Sequence, residues 1–380
     1  MVDRSSNDGE YLVREYRVED TSSVVSLLKE VFPGWPSSDI DCSEEEYYIW
    51  KYLDYGFEKI INHVATFEDE VIGAYHELYS PVVVNGTVYD SSLGSDVAVH
   101  PSFQGKGVWT ALRRVFDKKH RDRRKNYIIR FMTGSPIVKK RMSKIRDMFP
   151  HTLSNMTYIK DINLHLSYMP QKNNLLIATG YQVLSLGNAI SSVFTSPKRD
   201  SNDIIIQERD KFDDDIDIFW EKIYPEYNFI TLRDKENLNH RFGDPRAGKF
   251  TILTAYQQDQ LIGYIVYTMN VNIPNYEVGY IVDLLVLPGY WDAFDALVNE
   301  AKTRLSNRGV NIINYLVVKG HPYYDKINRH GFLDSRIPIQ VFLNLIVVEE
   351  TIKKKILESE PEKLFYSWGD HDSLPLGFRE

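Results

Sequence analysis

An internal repeat constrains the fold of this chain more than any other feature of its 380 residues. Three segments recur at offsets of 190, 190 and 187 residues, respectively: Trp50–Asp54 as His240–Asp244, Ile72-Gly73 as Ile262-Gly263, and Asp96–Pro101 as Asp283–Pro288. Such a steady register indicates a duplicated unit. Two domains also suit a chain that exceeds the usual size of one hydrophobic core.

Each copy shows the same order of predicted elements, in which strands and helices alternate around a hairpin. In the first copy a strand over Tyr11–Tyr16 precedes an amphipathic helix over Thr21–Phe32. Asn85-Gly86 between two short valine-containing runs predicts a tight hairpin. The pattern predicts an α/β fold of the α+β type with a mixed sheet, divided into a first domain (1–168), a helical linker (169–203), a second domain (204–346) and a tail (347–380).

The segment Asp96–Trp109 predicts a strand, a glycine loop and a helix in succession. The apolar strand ends at Pro101, and Gly105 and Gly107 precede a basic amphipathic helix. Backbone N–H groups at a helix N-terminus, aided by the helix dipole, suit an anionic pyrophosphate. The glycines can adopt backbone conformations closed to other residues and let a ligand approach the main chain.

This motif, Val99-x-Pro101-x-x-Gln104-Gly105-x-Gly107, resembles that of the GNAT acyl-CoA N-acyltransferase superfamily. The resemblance implies two tandem GNAT-like domains. Trp109 stands where the family usually has a small residue. With this bulky residue the chain is similar to members associated with polysaccharide biosynthesis. In the second copy Gly289-Tyr290-Trp291-Asp292 replaces the glycine pair and adds an acid, which implies a degenerate domain.

The resemblance also implies a cosubstrate, acetyl-CoA, and an acceptor, the primary amine of a small molecule such as an amino sugar. The backbone of Val97, Ala98 and Val99 is expected to pair with the pantetheine arm. The loop is expected to hold the pyrophosphate through Gln104, Gly105, Lys106, Gly107, Val108 and Trp109. A basic run over Arg113–Lys125 follows the loop; it suits either the 3′-phosphate of coenzyme A or a solvated helix face, and both interpretations stay open.

Two carboxylates are candidates for removing the amine proton. Asp96 lies on the strand expected to line the acyl site, on the face opposite Val97 and Val99, although its counterpart Asp283 also favours a structural role. Glu77 on the preceding strand is the alternative base, or else an ordinary exposed carboxylate. A general acid is missing, because Lys144 occupies the position where many GNAT enzymes have a tyrosine.

The C-terminal Gly369-Asp370-His371-Asp372 could return across the domain junction and present carboxylates to the acceptor, or it could be a surface loop. The net charge of -8 argues against nucleic-acid binding, and no metal site or membrane span is expected. The single cysteine, Cys42, favours the reducing cytoplasm.

Two other functions stay open: a non-catalytic acyl-CoA-binding or regulatory protein, and a Fem-like aminoacyl transferase. The first takes its support from Trp109 and from the missing tyrosine. The second would need tRNA, which the net charge disfavours. The sequence leaves the oligomeric state and the acyl chain length open.

Overall fold

The computed structural model describes residues 11–36, 39–132, 139–140, 142–144, 146–168, 204–270, 276–372 and 374. The predicted helical linker (169–203) lies outside the described residues. The described part forms two seven-stranded sheets and a three-stranded sheet, with helices packed against them. The predicted mixed α/β architecture is confirmed.

The first sheet holds six strands of the N-terminal half and one strand of the C-terminal half. Its strands are β1 (Leu12–Glu15), β2 (His63–Phe67), β3 (Glu70–Tyr79), β6 (Ser91–Val99), β7 (Ile128–Met132), β8 (Asp147–Met148) and β17 (Val341–Asn344). Their order across the sheet is β1-β2-β3-β6-β7-β17-β8. The first predicted strand is confirmed within a residue at each end.

Helices cover both faces of this sheet. They are α1 (Thr21–Val31), α2 (Glu44–Tyr52) and α3 (Val108–Arg123). The next helix, α4 (Ile162–Tyr168), contacts Tyr276 of the C-terminal half instead. Ala98 packs into the cluster around α1 and α2, whereas Val97 and Val99 pack against the cluster around α3. The pleat of a strand sends successive side chains to opposite faces, so the predicted alternation along β6 is confirmed.

The second sheet repeats the first. Its strands are β9 (Leu153–Ile159), β10 (Ile205–Arg209), β12 (Thr251–Gln257), β13 (Gln260–Asn270), β14 (Val278–Val286), β15 (Ile312–Val318) and β16 (Leu333–Ile339). Their order is β10-β12-β13-β14-β15-β9-β16. The helices of this half are α5 (Asp215–Ile223), α6 (Lys235–Leu238), α7 (Trp291–Asn307), α8 (Pro322–Arg329) and α9 (Glu350–Leu357).

The two sheets exchange a strand. β17 of the C-terminal half pairs with β7 and β8, and β9 of the N-terminal half pairs with β15 and β16. Each exchanged strand occupies the sixth position in its sheet. The segments 1–168 and 204–346 therefore each complete the sheet of the other.

A small third sheet also joins the halves, with β4 (Val82–Val84) pairing both β5 (Thr87–Tyr89) and β11 (Phe229–Thr231). The hairpin predicted at Asn85-Gly86 is confirmed, and both residues have positive φ values, 46° and 78°, as a tight two-residue turn requires. Close by, Trp50 stacks on His240 at 5.3 Å and donates to its carbonyl oxygen. The repeat-related positions thus pack against each other.

The two central parallel strands of each sheet separate partway along their length. β6 pairs with β7 only from Ser91 to Leu93, and the last pair is Leu93 with Arg130. We call this point the first fork, and the following part of β6 (Gly94–Val99) the free edge. β14 and β15 part in the same way after the pair Ile281 and Tyr315, which we call the second fork.

Candidate functional site

The predicted pyrophosphate loop connects the free edge to α3. Gly105 and Gly107 have φ values of +77° and +85°, in the left-handed region that glycine adopts without steric penalty. No described atom lies within 4 Å of the position that a Cβ on Gly105 would take. For Gly107 the nearest atom is the Tyr11 hydroxyl, at 3.5 Å. The surface of the loop is therefore open.

The loop also carries free hydrogen-bond donors. Among the described residues, no group accepts a hydrogen bond from the amides of Gly105, Gly107 or Val108. The amides of Gln104 and Lys106 donate instead to loop carbonyls, at 3.2 and 3.3 Å. No acidic side chain lies in the first turn of α3. The open amides and the helix dipole suit a diphosphate.

Trp109 does not interfere with this surface. Its indole lies beside the guanidinium of Arg113, one helical turn further on, with 5.4 Å between Arg113 Cζ and the ring centroid. The space around Gly105 therefore stays open although the family's usual small residue is absent.

The free edge presents backbone groups toward the gap between β6 and β7. The backbone amide of His100 donates to the carbonyl of Ile72 on β3 at 2.9 Å. Backbone groups alternate in direction along a strand, so those of Val99 and Val97 point away from β3. The Gln104 side chain donates to the Val99 carbonyl at 3.3 Å. An extended ligand arm can pair with this edge in the way another strand would.

A β-bulge interrupts β6 at Asp96, whose φ is +40°. The Asp96 carbonyl accepts a hydrogen bond from His76 Nδ1 at 3.1 Å, and His76 Nε2 lies 3.0 Å from the Tyr48 hydroxyl. Burial lowers the pKa of His76 to about 4, so the ring is neutral at neutral pH. A neutral histidine between a carbonyl and a hydroxyl holds the bulge in place.

The Asp96 carboxylate binds three donors on the α1–α2 face. Its Oδ2 accepts from Trp35 Nε1 at 3.0 Å, Lys51 Nζ at 2.9 Å and the Tyr52 hydroxyl at 2.6 Å. Burial acts to lower the pKa of Lys51, but the charge of Asp96 outweighs it and raises that pKa above its usual value. Among the described residues, Asp96 Oδ1 receives no hydrogen bond. Asp96 thus combines a structural ion pair with one available oxygen.

The C-terminal tail returns across the domain junction, one of the two courses left open by the sequence. Asp372 Oδ2 accepts a hydrogen bond from Ser95 at 2.5 Å and lies 3.6 Å from Lys51 Nζ. Burial raises the pKa of Asp372, but His371 and Lys51 outweigh it and hold that pKa at about 2. A carboxylate from the end of the chain therefore lies beside Asp96, fully ionised at neutral pH.

Glu77 lies in a different environment from the exposed one considered from sequence. It is fully buried, and both of its oxygens bind the guanidinium of Arg124 at 3.0 Å. Ser92 and the amide of Ile61 donate to the same oxygens. These contacts describe a structural ion pair between β3 and the end of α3, and they argue against Glu77 as a base.

The basic run on α3 divides into two groups. Arg113, Lys119 and Arg124 form ion pairs with Asp117, Glu15 and Glu77. Arg114, Lys118 and Arg121 are exposed. Part of the run therefore stabilises the domain, and the exposed part remains available to an anion such as a 3′-phosphate.

In the second domain, the edge of β14 that corresponds to the free edge is closed. Tyr323 donates its hydroxyl toward the backbone of Val286, the counterpart of Val99, and also accepts from the Val286 amide at 2.9 Å. Asp283, the counterpart of Asp96, is buried between Arg233 and Ser367 of the tail. The tail also covers β14, because a Cβ on Gly369 would lie 3.4 Å from the Val282 carbonyl.

A narrow cavity of about 60 Å³ lies between the domains, directly below the first fork. Both domains line it, and the residues that matter most to its chemistry are Tyr79, Leu93, Arg233, His240, Arg241 and Asp370. Arg241 donates to the carbonyl of His371, so the tail forms part of the wall. The cavity brings charged groups of the second domain to the edge of β6 in the first.

Sequence reasoning missed Trp35, Lys51, Tyr52 and Ser95 as members of the site. The repeat contained a signal for one of them, since Lys51 and Arg241 occupy equivalent positions of the repeat and both border the tail. The described residues contain no cluster of three or more His, Cys, Asp or Glu side chains suited to a metal ion. None of the helices in the described part combines the length and apolar character needed to cross a bilayer.

Comparison with known families supports this architecture. Residues 12–139 match a family model described as "Acetyltransferase (GNAT) domain", and residues 210–328 match one described as "Acetyltransferase (GNAT) family". A sequence search of curated proteins returned no match.

Solved structures share the fold over most of the chain. A probable N-acyltransferase from Enterococcus faecalis V583 is 11% identical, with a TM-score of 0.56, and the alignment covers 88% of this chain and 71% of that one. Saccharomyces cerevisiae N-myristoyltransferase with bound myristoyl-CoA and inhibitors is 12% identical, with a TM-score of 0.58 and coverage of 90% and 81%. A GCN5-related N-acetyltransferase from Anabaena variabilis ATCC 29413 is 12% identical, with a TM-score of 0.57 and coverage of 89% and 73%.

At these identities the likeness to solved structures concerns the fold alone. The family matches are independent of it, and each falls on one of the two repeated sheets. The chain therefore carries two GNAT domains in tandem.

Proposed function

We propose that the chain is an acyl-CoA-dependent N-acyltransferase whose reaction takes place in the first domain. One observation carries the proposal: the same scaffold occurs twice, and only the first copy keeps the edge of its central strand clear. In the first copy the amides of Gly105, Gly107 and Val108 and the free edge are open. In the second copy Tyr323 and the tail cover the edge of β14, although the loop at Gly289 is open.

The residues of the first domain supply what acyl transfer requires. The loop amides hold the pyrophosphate of acetyl-CoA, and the backbone of Val97–Val99 aligns the pantetheine arm. A neutral primary amine then attacks the thioester carbonyl; a C–N bond forms, the C–S bond breaks, and a backbone N–H of the free edge stabilises the oxyanion. The amine loses one proton, and the departed thiolate takes up one proton to give the thiol product.

Asp96 is the group we propose to take the amine proton, through the oxygen that has no partner among the described residues. Asp372 is poorly suited to that role, because a carboxylate with a pKa of about 2 is a weak base toward an ammonium group. Its charge instead favours a cationic acceptor nearby. Lys144 occupies the position of the usual general acid and is exposed. A thiol pKa of about 8.5 lets the thiolate leave without a general acid.

We place the reacting amino group of the acceptor at the inter-domain cavity, which borders the first fork through Leu93 and, at about 60 Å³, is too small for a whole sugar. In this proposal the second domain binds no acyl-CoA and shapes the acceptor pocket. The family resemblance favours the amino group of a sugar or another small metabolite, with polysaccharide synthesis as one setting. A cytoplasmic location, which the single Cys42 favours, belongs to the same proposal.

A matched pair of glycine variants tests the proposal. Gly105→Val and Gly289→Val place the same side chain at φ values of +77° and +87°, each with no described atom within 4 Å. Both carry the same backbone strain, but only Gly105→Val fills the proposed diphosphate surface. We expect calorimetry to show acetyl-CoA binding by the wild type and by Gly289→Val, and loss of binding by Gly105→Val.

Turnover separates an enzyme from a binding protein. Release of free thiol from acetyl-CoA in the presence of a panel of amino sugars and small amines is the expected result. Binding without turnover on any amine would favour the regulatory alternative, and no binding of acetyl-CoA by the wild type would remove both.

A further inference from the structure

We propose that Phe131 closes the acyl end of the site and restricts the enzyme to short acyl groups. The inference rests on the proposed function, and it names the residue that sets the chain length. It starts from an unusually close contact at the first fork. A Cβ placed on Gly94 would lie 2.2 Å from Phe131 Cε1 and 2.4 Å from Cδ1. The ring thus lies directly on the backbone of β6, which only glycine permits.

Further contacts restrict the ring in this position. The guanidinium of Arg146 lies 5.8 Å from the ring centroid, and Arg146 is itself fixed by an ion pair of 2.7 Å with Asp117 on α3. On the sheet, Phe131 is paired in register with Phe342 of the exchanged strand β17. A ring with a cation over it and strands on both sides has little freedom to move aside.

The fork lies at the far end of the path that an acyl-CoA follows. The loop amides fix the pyrophosphate beyond Val99, so the arm extends along the free edge toward Gly94. This edge spans about 17 Å over five residue steps. The pantetheine arm has about twelve chain atoms, equal to about four extended residues or about 14 Å. The sulfur therefore lies within a few Å of the fork, and the acyl group points at Phe131.

Among the described residues, packed clusters border the gap on both faces of the sheet, so an acyl chain meets the ring. On one face the gap is bordered by Val97, Val99 and Phe131, which pack against the cluster around α3. On the other face Leu93 and Ala98 belong to the packed cluster around α1 and α2. An acetyl or propionyl group fits between the thioester sulfur and the ring. A fourteen-carbon chain, such as that of the myristoyl-CoA bound to the yeast N-myristoyltransferase, does not fit there.

The test is a series of acyl-CoA thioesters with two, four, eight and fourteen carbons. Binding is measured by calorimetry and turnover by thiol release, on the wild type, Phe131→Ala and the milder Phe131→Leu. The wild type should prefer the two-carbon substrate. In Phe131→Ala each further methylene that enters the vacated space should raise affinity about fourfold, so the preference moves to longer chains. Phe131→Leu should show a smaller shift in the same direction and covers the case in which the alanine variant fails to fold.

Tyr315→Leu is the matched control, because Tyr315 holds the equivalent position at the second fork. It loosens the core of the second domain without touching the acyl path, and its chain-length preference should equal that of the wild type. A wild type that binds the fourteen-carbon thioester as well as the two-carbon one would overturn the inference, as would an unchanged preference in both Phe131 variants. Both results leave the proposed function intact. Failure of the proposed function gives a different result, because in that case the wild type binds no acyl-CoA thioester of any length.

Discussion

The tail contact at Asp372 provides a stability prediction whose size follows from the structure. Asp372 lies buried between Ser95 and Lys51, and its pKa is about 2 against an ordinary value of 3.8. A difference of nearly two pKa units corresponds to about 2 kcal/mol of folding free energy. Because the pKa is depressed in the folded state, this stabilisation is complete above about pH 4 and is lost as the pH falls toward 2.

Asp372→Asn keeps the side-chain volume and an acceptor for Ser95 but removes the charge. We expect urea unfolding at pH 6 to show a loss of about 2 kcal/mol relative to the wild type. The difference should shrink toward zero between pH 4 and pH 2, since the wild-type carboxyl then becomes neutral as well. Asp292→Asn, at an exposed aspartate of the second domain, controls for net charge and should cost little at any pH. A loss that stays the same from pH 6 to pH 2 would refute the ionic contacts of Asp372 with His371 and Lys51.

Two further predictions concern the carboxylates of the first domain. Glu77→Gln leaves the buried Arg124 without its charged partner, so it should cost about 3 kcal/mol in urea unfolding while kcat per folded molecule is unchanged; a kcat that falls with unchanged stability would contradict the structural role. Asp96→Asn should leave acetyl-CoA affinity unchanged but lower kcat by about a hundredfold or more, and unaltered kcat and pH–rate profiles would assign Asp96 to structure alone.

The loop and its surroundings could be predicted from sequence because they depend on local chemistry. Pro101 ends a strand, and Gly105 and Gly107 supply backbone angles that other residues rarely adopt, so a short window of sequence determines the geometry. The hairpin at Asn85-Gly86 follows for the same reason. The alternation along β6 also holds, because the pleat of a strand is independent of what packs against it.

The contacts that complete the site depend on partners distant in sequence. Arg124 lies 47 residues from Glu77, and its presence turns a strand carboxylate into a buried ion pair. Asp372 lies 277 residues from Ser95. The exchange of β9 and β17 could not be predicted from the sequence for a similar reason. An apolar strand pattern shows that a strand is buried but does not show which strand pairs with it.

The duplication explains how closing one copy contributes to the site in the other. In the first domain, Asp96 forms its ion pair with Lys51 from α2. In the second domain, Asp283 instead binds Arg233 and the tail residue Ser367, and the tail then covers β14. That coverage removes a ligand surface but fixes the course of the tail, which runs on to place Asp372 against Ser95. The closure of the second copy thus fixes a tail that brings a further carboxylate, Asp372, beside Asp96.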